Sequence, residues 1–489
     1  MAYAEKRGNL WRARWRGPDG TLESRPGFQT RKAAESYGRD QESAIRANRY
    51  VDPRNGRITL TEWVNLWFPS LDLEPTTMNN YRYMIEVHIL PAFGGRALAS
   101  LAAEEVAGWE IKLTSSGLSR RTAADARSTL ATVLADAVPR YIPTNPAARR
   151  KGKGRKGLRR IERIEKEGKA WASPFEALLI AERAAVLSGS DTDFVTILTL
   201  AYTGMRWSEV IGLQPQYLLN DAINVHWKLY ELNGRFYRGR PKDGSMRTID
   251  IPSFLRELLA AHVDTQTQER CTCEPRVTDD AAIPWCAGDR YVFLGPRGGH
   301  FRRSNYSERV VRPASDGWHP QRKGRATRPR MPVLVDHGTA WPGIPLPPWP
   351  PAIPGQPFRQ PQGQGRVRVA DDVRLSSWLP ILPDLTPHGL RHGYQTWMDE
   401  VGTSYVLQSM QMGHEVPGMR GVYSHVSPRM RADLRAALQG AWDEALRHRA
   451  SLSPRSSVAA LDTLLLAAGH DSGVPTVGFA PKPLPKLDT

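Results

Sequence analysis

The chain has 489 residues, and its 67 lysines and arginines against 50 aspartates and glutamates give a formal net charge of +17. This length exceeds one ordinary domain, so we expect about three domains. The positive charge favours nucleic acid as the partner, with a merely solubilising basic surface as the alternative interpretation.

The sequence fits neither a membrane nor a secreted protein. No run of about 18 apolar residues, the length of a membrane span, is present. The N-terminus, Met1 to Arg7, has no apolar core behind its charges, and three cysteines cannot form a disulfide framework in so long a chain. We therefore expect a protein of the reduced cytoplasm.

The first segment, residues 1–56, predicts a small β-sheet followed by a helix. Residues 10–16 alternate with period two, which puts Trp11, Ala13 and Trp15 on one face. The opposite face carries three arginines: Arg12, Arg14 and Arg16. A sheet with tryptophans in its core and arginines on its open face can enter a DNA groove; the alternative is a solvated face that happens to be basic.

Turn and cap signals complete this first segment. Residues 17–20, Gly-Pro-Asp-Gly, predict a turn. Further strands are expected near residues 22–24 and near Phe28. Thr30 can cap a helix over residues 31–46.

Residues 57–147 predict an all-α domain of four helices. These helices are expected from Thr61 onward and over residues 77–88, 101–113 and 119–138. The segment that follows, residues 148–169, is densely basic and interrupted by glycine, and it includes Lys151, Lys153 and Arg155. Such a run repels itself into an extended linker. It could follow DNA phosphates or serve as a spacer without specific contacts.

Residues 170–449 predict a mixed α/β, mainly helical domain. Asn233-Gly234 indicates a hairpin between strands. Residues 319–375, rich in proline and glycine, predict a long insertion that is partly ordered at best. Residues 450–489 are expected to form a tail, with a short helix over 461–469 that could contact a neighbouring subunit.

Six residues between positions 206 and 423 carry groups suited to one chemistry. Arg206 lies in the sequence TGMRWSE, Arg391 in HGLRH, and His414 precedes Tyr423 by nine positions. Arginine, lysine and histidine can hold and protonate a phosphodiester, and a tyrosine can attack it. The set comprises Arg206, Lys242, His388, Arg391, His414 and Tyr423.

In this order and these contexts, the six residues resemble the active site of the tyrosine recombinase (phage integrase) family. The resemblance implies a multidomain fold: a small N-terminal β-sheet plus helix arm-binding domain, an all-α core-binding domain and a mixed α/β, mainly helical catalytic domain. It covers roughly residues 1–315 and 380–449. The insertion, which lies between the strand hairpin and His388, departs from the family's compact catalytic domain.

The resemblance also implies a role for each residue. Arg206 and Arg391 would bind the non-bridging phosphate oxygens. Tyr423 would be the nucleophile that forms a 3′-phosphotyrosyl bond, and Lys242 would protonate the leaving 5′ oxygen. His388 would accept the tyrosine proton or bind the phosphate. His414 would hydrogen-bond a phosphate oxygen, and Glu209 would orient Arg206 or its loop.

The implied partners are double-stranded DNA attachment sites, three further copies of the chain in a DNA-assembled homotetramer, and an accessory DNA-bending or directionality protein. No cofactor is implied, because the phosphotyrosyl bond conserves the energy needed for rejoining. The basic first domain favours integration and excision of a phage or other mobile element in a prokaryotic host. Two alternatives remain: a topoisomerase-like nicking and rejoining enzyme, and an integrase-derived DNA-binding regulator without catalysis.

The three cysteines form a separate, weaker constellation. Cys271, Cys273 and Cys286 lie near His262 and His300 in the sequence. Three cysteines and a histidine can bind zinc tetrahedrally, but this spacing is not a standard zinc signature. The sequence alone favours ordinary loop cysteines and no metal, and leaves a structural zinc as the alternative.

Overall fold

The computed structural model describes residues 2–47, 55–149, 169–266, 270–273, 286, 288–320, 331–336, 375–416 and 425–470. The chain divides into two compact units, residues 1–164 and 165–489. The predicted fold class is confirmed: the described residues are mainly helical and carry small antiparallel sheets. None of the helices within these ranges is both long and apolar enough to cross a lipid bilayer.

The first unit begins with a three-stranded antiparallel sheet, Tyr3–Arg7, Leu10–Arg16 and Leu22–Phe28, and the helix Arg31–Arg46. Thr30 caps this helix as predicted, because its side chain accepts from the Ala33 N–H at 3.2 Å. Ala13 and Trp15 are buried, as the alternation predicted.

The sequence prediction for this sheet was wrong in two places. The strand Tyr3–Arg7 was not expected, and the two short strands near residues 22–24 and 28 are one strand. Pro26 and Gly27 lie inside this strand. The strand tolerates them because its register with Leu10–Arg16 shifts at this point: Trp11 pairs with Phe28 but Ala13 with Arg25.

The rest of the first unit is a helical bundle with its own core. Its longer helices are Leu60–Trp67, Pro75–Tyr83, Ala103–Ser115 and Arg120–Ala135; a π-helical turn, Met84–Ile89, and the short helix Leu90–Phe93 continue the second. Four helices were predicted, and each is found within a few residues. Trp63 donates to the Val133 carbonyl at 2.9 Å and Trp67 to Asp136 Oδ2 at 2.6 Å, which ties the first helix to the last.

The second unit combines helices with small sheets. Its helices are Pro174–Ser188, Asp191–Thr203, Trp207–Val210, Ser253–Thr265, Arg303–Tyr306, Arg312–Asp316, Pro387–Glu400, Tyr405–Met412, Pro428–Leu452 and Ala459–His470, with a π-helical turn at Ser307–Val311. Its strands are Ala222–Val225, Lys228–Leu232, Arg235–Gly239, Arg247–Asp250, Trp318–His319, Met331–Pro332, Leu334–Asp336 and Leu375–Ser377. All strand pairs are antiparallel.

The hairpin predicted at Asn233-Gly234 is confirmed. Leu232 pairs with Arg235, and Asn233 and Gly234 have φ angles of 49° and 79°. Both central residues of a type I′ turn require positive φ, which asparagine and glycine tolerate best. Residues 321–330 and 337–374 of the predicted insertion lie outside the described residues. At its edges, Met331–Pro332 pairs with Trp318–His319, and Leu334–Asp336 pairs with Leu375–Ser377.

Aromatic rings fill the core of the second unit. Tyr202 packs edge-on against Phe254, Trp397 and Trp442, and the Phe254 and Trp442 rings stack with centroids 3.9 Å apart. These rings come from four different helices, so they fix the helix Asp191–Thr203 against its neighbours.

The helix near the C-terminus has a different role from the expected one. Leu461 and Leu465 of Ala459–His470 are buried in the core of their own chain, and the Ala460 N–H donates to Asp191 at 3.0 Å. This apolar face is therefore covered within the chain rather than offered to a neighbouring subunit.

Candidate active site

Arg206 is presented by a sharp turn after the helix Asp191–Thr203. Gly204 ends that helix with φ 59°, and a Cβ at this position would lie 2.4 Å from the Tyr394 ring. Glycine is therefore required here for both conformation and space. Arg206 then caps the short helix Trp207–Val210 and keeps about a quarter of its side chain exposed.

Arg391 lies in the second turn of the helix Pro387–Glu400 and is 3% exposed. It donates to the carbonyls of Gly204 and Met412, the latter at 2.5 Å. The first bond reaches the turn before Arg206 and the second reaches the end of the helix Tyr405–Met412. Arg391 therefore joins its own helix to the segments that carry Arg206 and His414.

His414 completes this group. Gly413 ends the helix Tyr405–Met412 with φ 63°, and the next residue turns its ring towards the arginines. Arg391 Nη2 lies 3.1 Å from His414 Nε2, and Arg206 Nη2 donates to the Gly413 carbonyl at 3.3 Å. The structure thus brings Arg206, Arg391 and His414 together, although they are far apart in the sequence.

A buried carboxylate organises the arginines. Glu209 is 1% exposed and accepts from the Arg206 backbone N–H at 2.9 Å and from its guanidinium at 3.0 Å. This contact agrees with the predicted orienting role of Glu209. Burial opposes its ionisation, but hydrogen bonds from Arg247 and Arg206 outweigh burial and lower the pKa of Glu209.

Arg247 is a member of the cluster that sequence reasoning did not identify. It donates to both oxygens of Glu209, at 3.2 and 2.8 Å, and to the Gln411 carbonyl at 2.8 Å. Arginines at 238, 240 and 247 follow one another along the hairpin, and no sequence signal separates them. The distinguishing feature is burial, since Arg247 is 8% exposed.

His388 lies three residues before Arg391 on the same helix, at the solvent-exposed N-terminal end. Its ring meets that of His392 edge-on at 4.6 Å between centroids. Partial burial, followed by the positive charges of His392 and Arg391, lowers the pKa of His388 to about 4. The ring is therefore neutral at pH 7 and able to accept a proton.

Lys242 is exposed and begins a single 3₁₀ turn, Lys242–Gly244, between the strands Arg235–Gly239 and Arg247–Asp250. No hydrogen bond or ion pair recorded for the described residues joins the Lys242 ammonium to the arginine cluster. Its catalytic role accordingly stays a prediction.

Four of the remaining predicted residues lie outside the described residues: Tyr423, Lys151, Lys153 and Arg155. The arginines of the N-terminal sheet are described. Arg14 donates to Glu5 at 2.7 Å, Arg16 is exposed and donates to the Gly20 carbonyl, and Arg12 is half-buried. Their contact with DNA also stays a prediction.

The charge of the cluster is unbalanced. In the part of the chain that the structure describes, Glu209 is the only carboxylate hydrogen-bonded to Arg206, Arg247 or Arg391. Burial and the nearby Arg206 lower the pKa of Arg391 to about 9. Burial and the same arginines also lower the pKa of His414. Such a cluster favours an anion that reaches it past the exposed His414 and the partly exposed Arg206.

One family model matches the sequence. Residues 59–113, which contain the helices Leu60–Trp67 and Pro75–Tyr83 of the first unit, match the model described as phage integrase, N-terminal SAM-like domain. No protein with curated annotation is similar to the chain in sequence.

Several solved structures are similar in fold. A Tn1549 transposon integrase in complex with transposon right end DNA is 17% identical, with a TM-score of 0.49, over 78% of this chain and 99% of that chain. A lambda integrase tetramer bound to a Holliday junction is 14% identical, with a TM-score of 0.42, over 86% and 99% of the two chains. Identities and scores this low carry no information about activity.

Proposed function

We propose that this chain is a site-specific DNA recombinase that cuts and rejoins DNA through a 3′-phosphotyrosyl intermediate. The chain belongs with the tyrosine recombinases through its phage integrase N-terminal SAM-like domain. It integrates and excises a phage or other mobile element on the nucleoid DNA of a prokaryotic host. The observation that carries the proposal is the cationic cluster of Arg206, Arg391 and His414, built on Glu209.

The cluster binds the scissile phosphate. Arg206 and Arg391 donate to the two non-bridging oxygens, and these bonds strengthen as negative charge grows in the pentacoordinate transition state. His414 adds a hydrogen bond to one of the same oxygens. Glu209 and the Gly204 and Met412 carbonyls hold the guanidinium groups in place beforehand, so little reorganisation is needed during the reaction.

Tyr423 is the nucleophile. Its oxygen attacks phosphorus and forms the phosphotyrosyl bond, while the bond to the 5′ oxygen breaks and Lys242 supplies the proton to that oxygen. His388, neutral at pH 7, takes the proton from the tyrosine. Two competing tyrosines fit the role less well: Tyr394 is fully buried in the core, and Tyr405 precedes His414 on an exposed helix end.

The first unit and the basic linker hold the DNA. The open face of the N-terminal sheet, with Arg12, Arg14 and Arg16, contacts the arm sites, and the helical domain contacts the core site together with Lys151, Lys153 and Arg155. Four copies assemble on two attachment sites, because exchange between two duplexes cuts four strands. An accessory DNA-bending or directionality protein sets the direction of the reaction.

Covalent trapping tests the proposal. The protein is mixed with nicked duplexes tiled from the DNA flanking its gene, and the products are separated on a denaturing gel. The wild type forms a protein–DNA adduct; Tyr423→Phe binds the same duplex but forms none. Tyr405→Phe, which removes an exposed hydroxyl outside the cluster, forms the adduct like the wild type.

Two other outcomes point to the alternative functions. Specific binding of a duplex without any adduct from the wild type would indicate an integrase-derived regulator. An adduct accompanied by relaxation of one supercoiled circle, without exchange between two duplexes, would indicate a topoisomerase-like enzyme.

A further inference from the structure

A second cluster of side chains lies in the same unit, and the reaction proposed above does not use it. The ligand atoms of Cys271, Cys273, Cys286 and His300 all lie within 4.8 Å of one another. Cys271 and Cys286 are 6% and 0% exposed and His300 is 8% exposed. We propose that these four residues bind one structural zinc ion.

The distances suit a tetrahedral site. Cys286 Sγ lies 3.3 Å from Cys271 Sγ and 3.2 Å from His300 Nε2. Zinc bonds sulfur at about 2.3 Å, so two sulfurs of one tetrahedral site are about 3.8 Å apart. Small outward movements of the side chains therefore admit the ion at the centre of the cluster.

The burial of the cluster also favours a metal. Thiols are only weak hydrogen-bond partners, so the buried imidazole of His300 gains little from the surrounding cysteines alone. A zinc ion converts the thiols to thiolates and bonds all four groups at once. Four ligands from protein leave no open position, which is typical of a structural site.

The four ligands come from three chain segments held by backbone contacts. The Cys271 N–H donates to the Asp289 carbonyl at 3.0 Å, and the Thr272 N–H donates to the Gly298 carbonyl at 3.0 Å. Gly298 lies in a tight turn, which is closed by a hydrogen bond from the Gly295 N–H to the Gly299 carbonyl at 2.9 Å. His300 follows this turn directly. Packing orients the imidazole, whose centroid lies 4.9 Å from that of Phe236 and 4.7 Å from that of Tyr291.

A disulfide is the competing explanation. The 3.3 Å between Cys271 Sγ and Cys286 Sγ exceeds the S–S bond length of about 2.05 Å, and all three cysteines are free. A disulfide would also leave Cys273 and His300 beside it without a role, whereas a metal uses all four residues.

The position of the site gives the ion a function. The Cys286 N–H donates to the Phe236 carbonyl at 3.4 Å, and Phe236 lies in the hairpin strand that leads to Lys242. Trp207, which follows Arg206, packs against the same apolar cluster as these cysteines. The ion would thus hold the loops that support both the hairpin and the Arg206 turn.

Metal analysis of the full-length protein tests the site directly. Protein produced with zinc in the medium and purified without chelator is expected to contain about one zinc ion per chain by mass spectrometry. Replacing zinc with cobalt should produce the absorption bands of a tetrahedral site with thiolate ligands. Neither the zinc content nor the cobalt spectrum depends on recombination. The zinc proposal can therefore be contradicted while the proposed function stands, and the proposed function can be contradicted while the zinc proposal stands.

Matched variants identify the ligands. His300→Gln is expected to lose most of the bound zinc and to lower the melting temperature. His262→Gln is the control, because His262 lies nearby in the sequence but bonds the Val292 carbonyl at 3.0 Å, outside the cluster; this variant should keep its zinc. Folded wild-type protein with no stoichiometric zinc and no cobalt spectrum would overturn the proposal, as would a Cys271–Cys286 disulfide in protein purified anaerobically.

Discussion

Arg391 Nη2 and His414 Nε2 lie 3.1 Å apart, although 23 positions separate the two residues in the chain. Because a guanidinium group can only donate, the histidine nitrogen accepts, and its ring proton resides on Nδ1. The pair therefore places a guanidinium donor and an imidazole N–H donor side by side, and both can bond to a phosphate.

Replacement of the Arg391 guanidinium group should slow cleavage much more than it weakens binding. In Arg391→Lys, one ammonium cannot reproduce the bonds to the Gly204 and Met412 carbonyls and also hold a phosphate. We expect the rate of adduct formation to fall by about 10²–10³, with the affinity for an attachment-site duplex reduced far less. Arg429→Lys, at an exposed position, is the control and should cleave normally. Equal loss of binding and cleavage would contradict this role.

The stability of the protein should fall in weak acid. His388 has its pKa lowered from 6.5 to about 4, so between these values the unfolded chain binds a proton that the folded chain does not. The free energy of unfolding should therefore decrease as the pH falls from 6.5 towards 4. A difference of one bound proton changes the free energy of unfolding by ~1.4 kcal/mol per pH unit. The change caused by His388 should be well below this value, because its side chain is exposed to solvent.

Urea unfolding at several pH values measures this effect. His388→Gln should show a shallower loss of stability over the same interval, while His448→Gln, in which the replaced ring packs on Phe175, serves as the control. Identical slopes in the wild type and His388→Gln would rule out the assigned cause.

The buried ion pair of Glu182 and Arg449 should contribute strongly to folding. Both side chains are fully buried, and Arg449 donates to both carboxylate oxygens at 2.7 Å. Arg449→Ala leaves an unpaired buried carboxylate, so we expect the free energy of unfolding to fall by about 3–5 kcal/mol. Arg455→Ala breaks the pair with Asp462, in which the Arg455 side chain is exposed, and should cost far less. Denaturant titration of both variants compares them, and similar losses would contradict the distinction.

The turn before Arg206 should not accept a side chain. Gly204→Ala introduces a Cβ at a φ of 59° and 2.4 Å from the Tyr394 ring. We expect a loss of stability above about 1 kcal/mol and a further loss of cleavage, since Arg206 and the carbonyl that Arg391 binds both shift. Gly440→Ala, in a helix with open space around that position, should be neutral or stabilising. The melting temperatures of the two variants provide the measurement.

The parts that the sequence predicted well are those with local signals. Thr30 and Ser119 mark helix starts by their side chains, and Asn233-Gly234 marks the hairpin by its backbone preference. Arg206 and Arg391 were proposed together because each lies in a recognisable sequence context, and the structure places both beside His414; their catalytic role stays a prediction. The strand Tyr3–Arg7 has no comparable signal: its alternation is weak, and it forms because Leu10–Arg16 offers it a partner.

The residues that sequence reasoning did not bring together depend on long-range contacts. Arg247 differs from the other hairpin arginines only through its bonds to Glu209, 38 positions away. The cysteines and His300 have a spacing that matches no common zinc pattern, and only folding brings their ligand atoms together. Spacing rules identify ligands from one or two short segments, whereas this cluster draws on three.

The close approach at Gly389 and Gly393 has a mechanical consequence. A Cβ at either position would lie 2.6 Å from the carbonyl of Ala170 or Ala172, and Trp397 on the same helix donates to Ala172 at 3.1 Å. The first described residues of the second unit are thus clamped to the helix that carries His388 and Arg391. A force that pulls on residues 169–172 therefore acts first on the helix that carries His388 and Arg391.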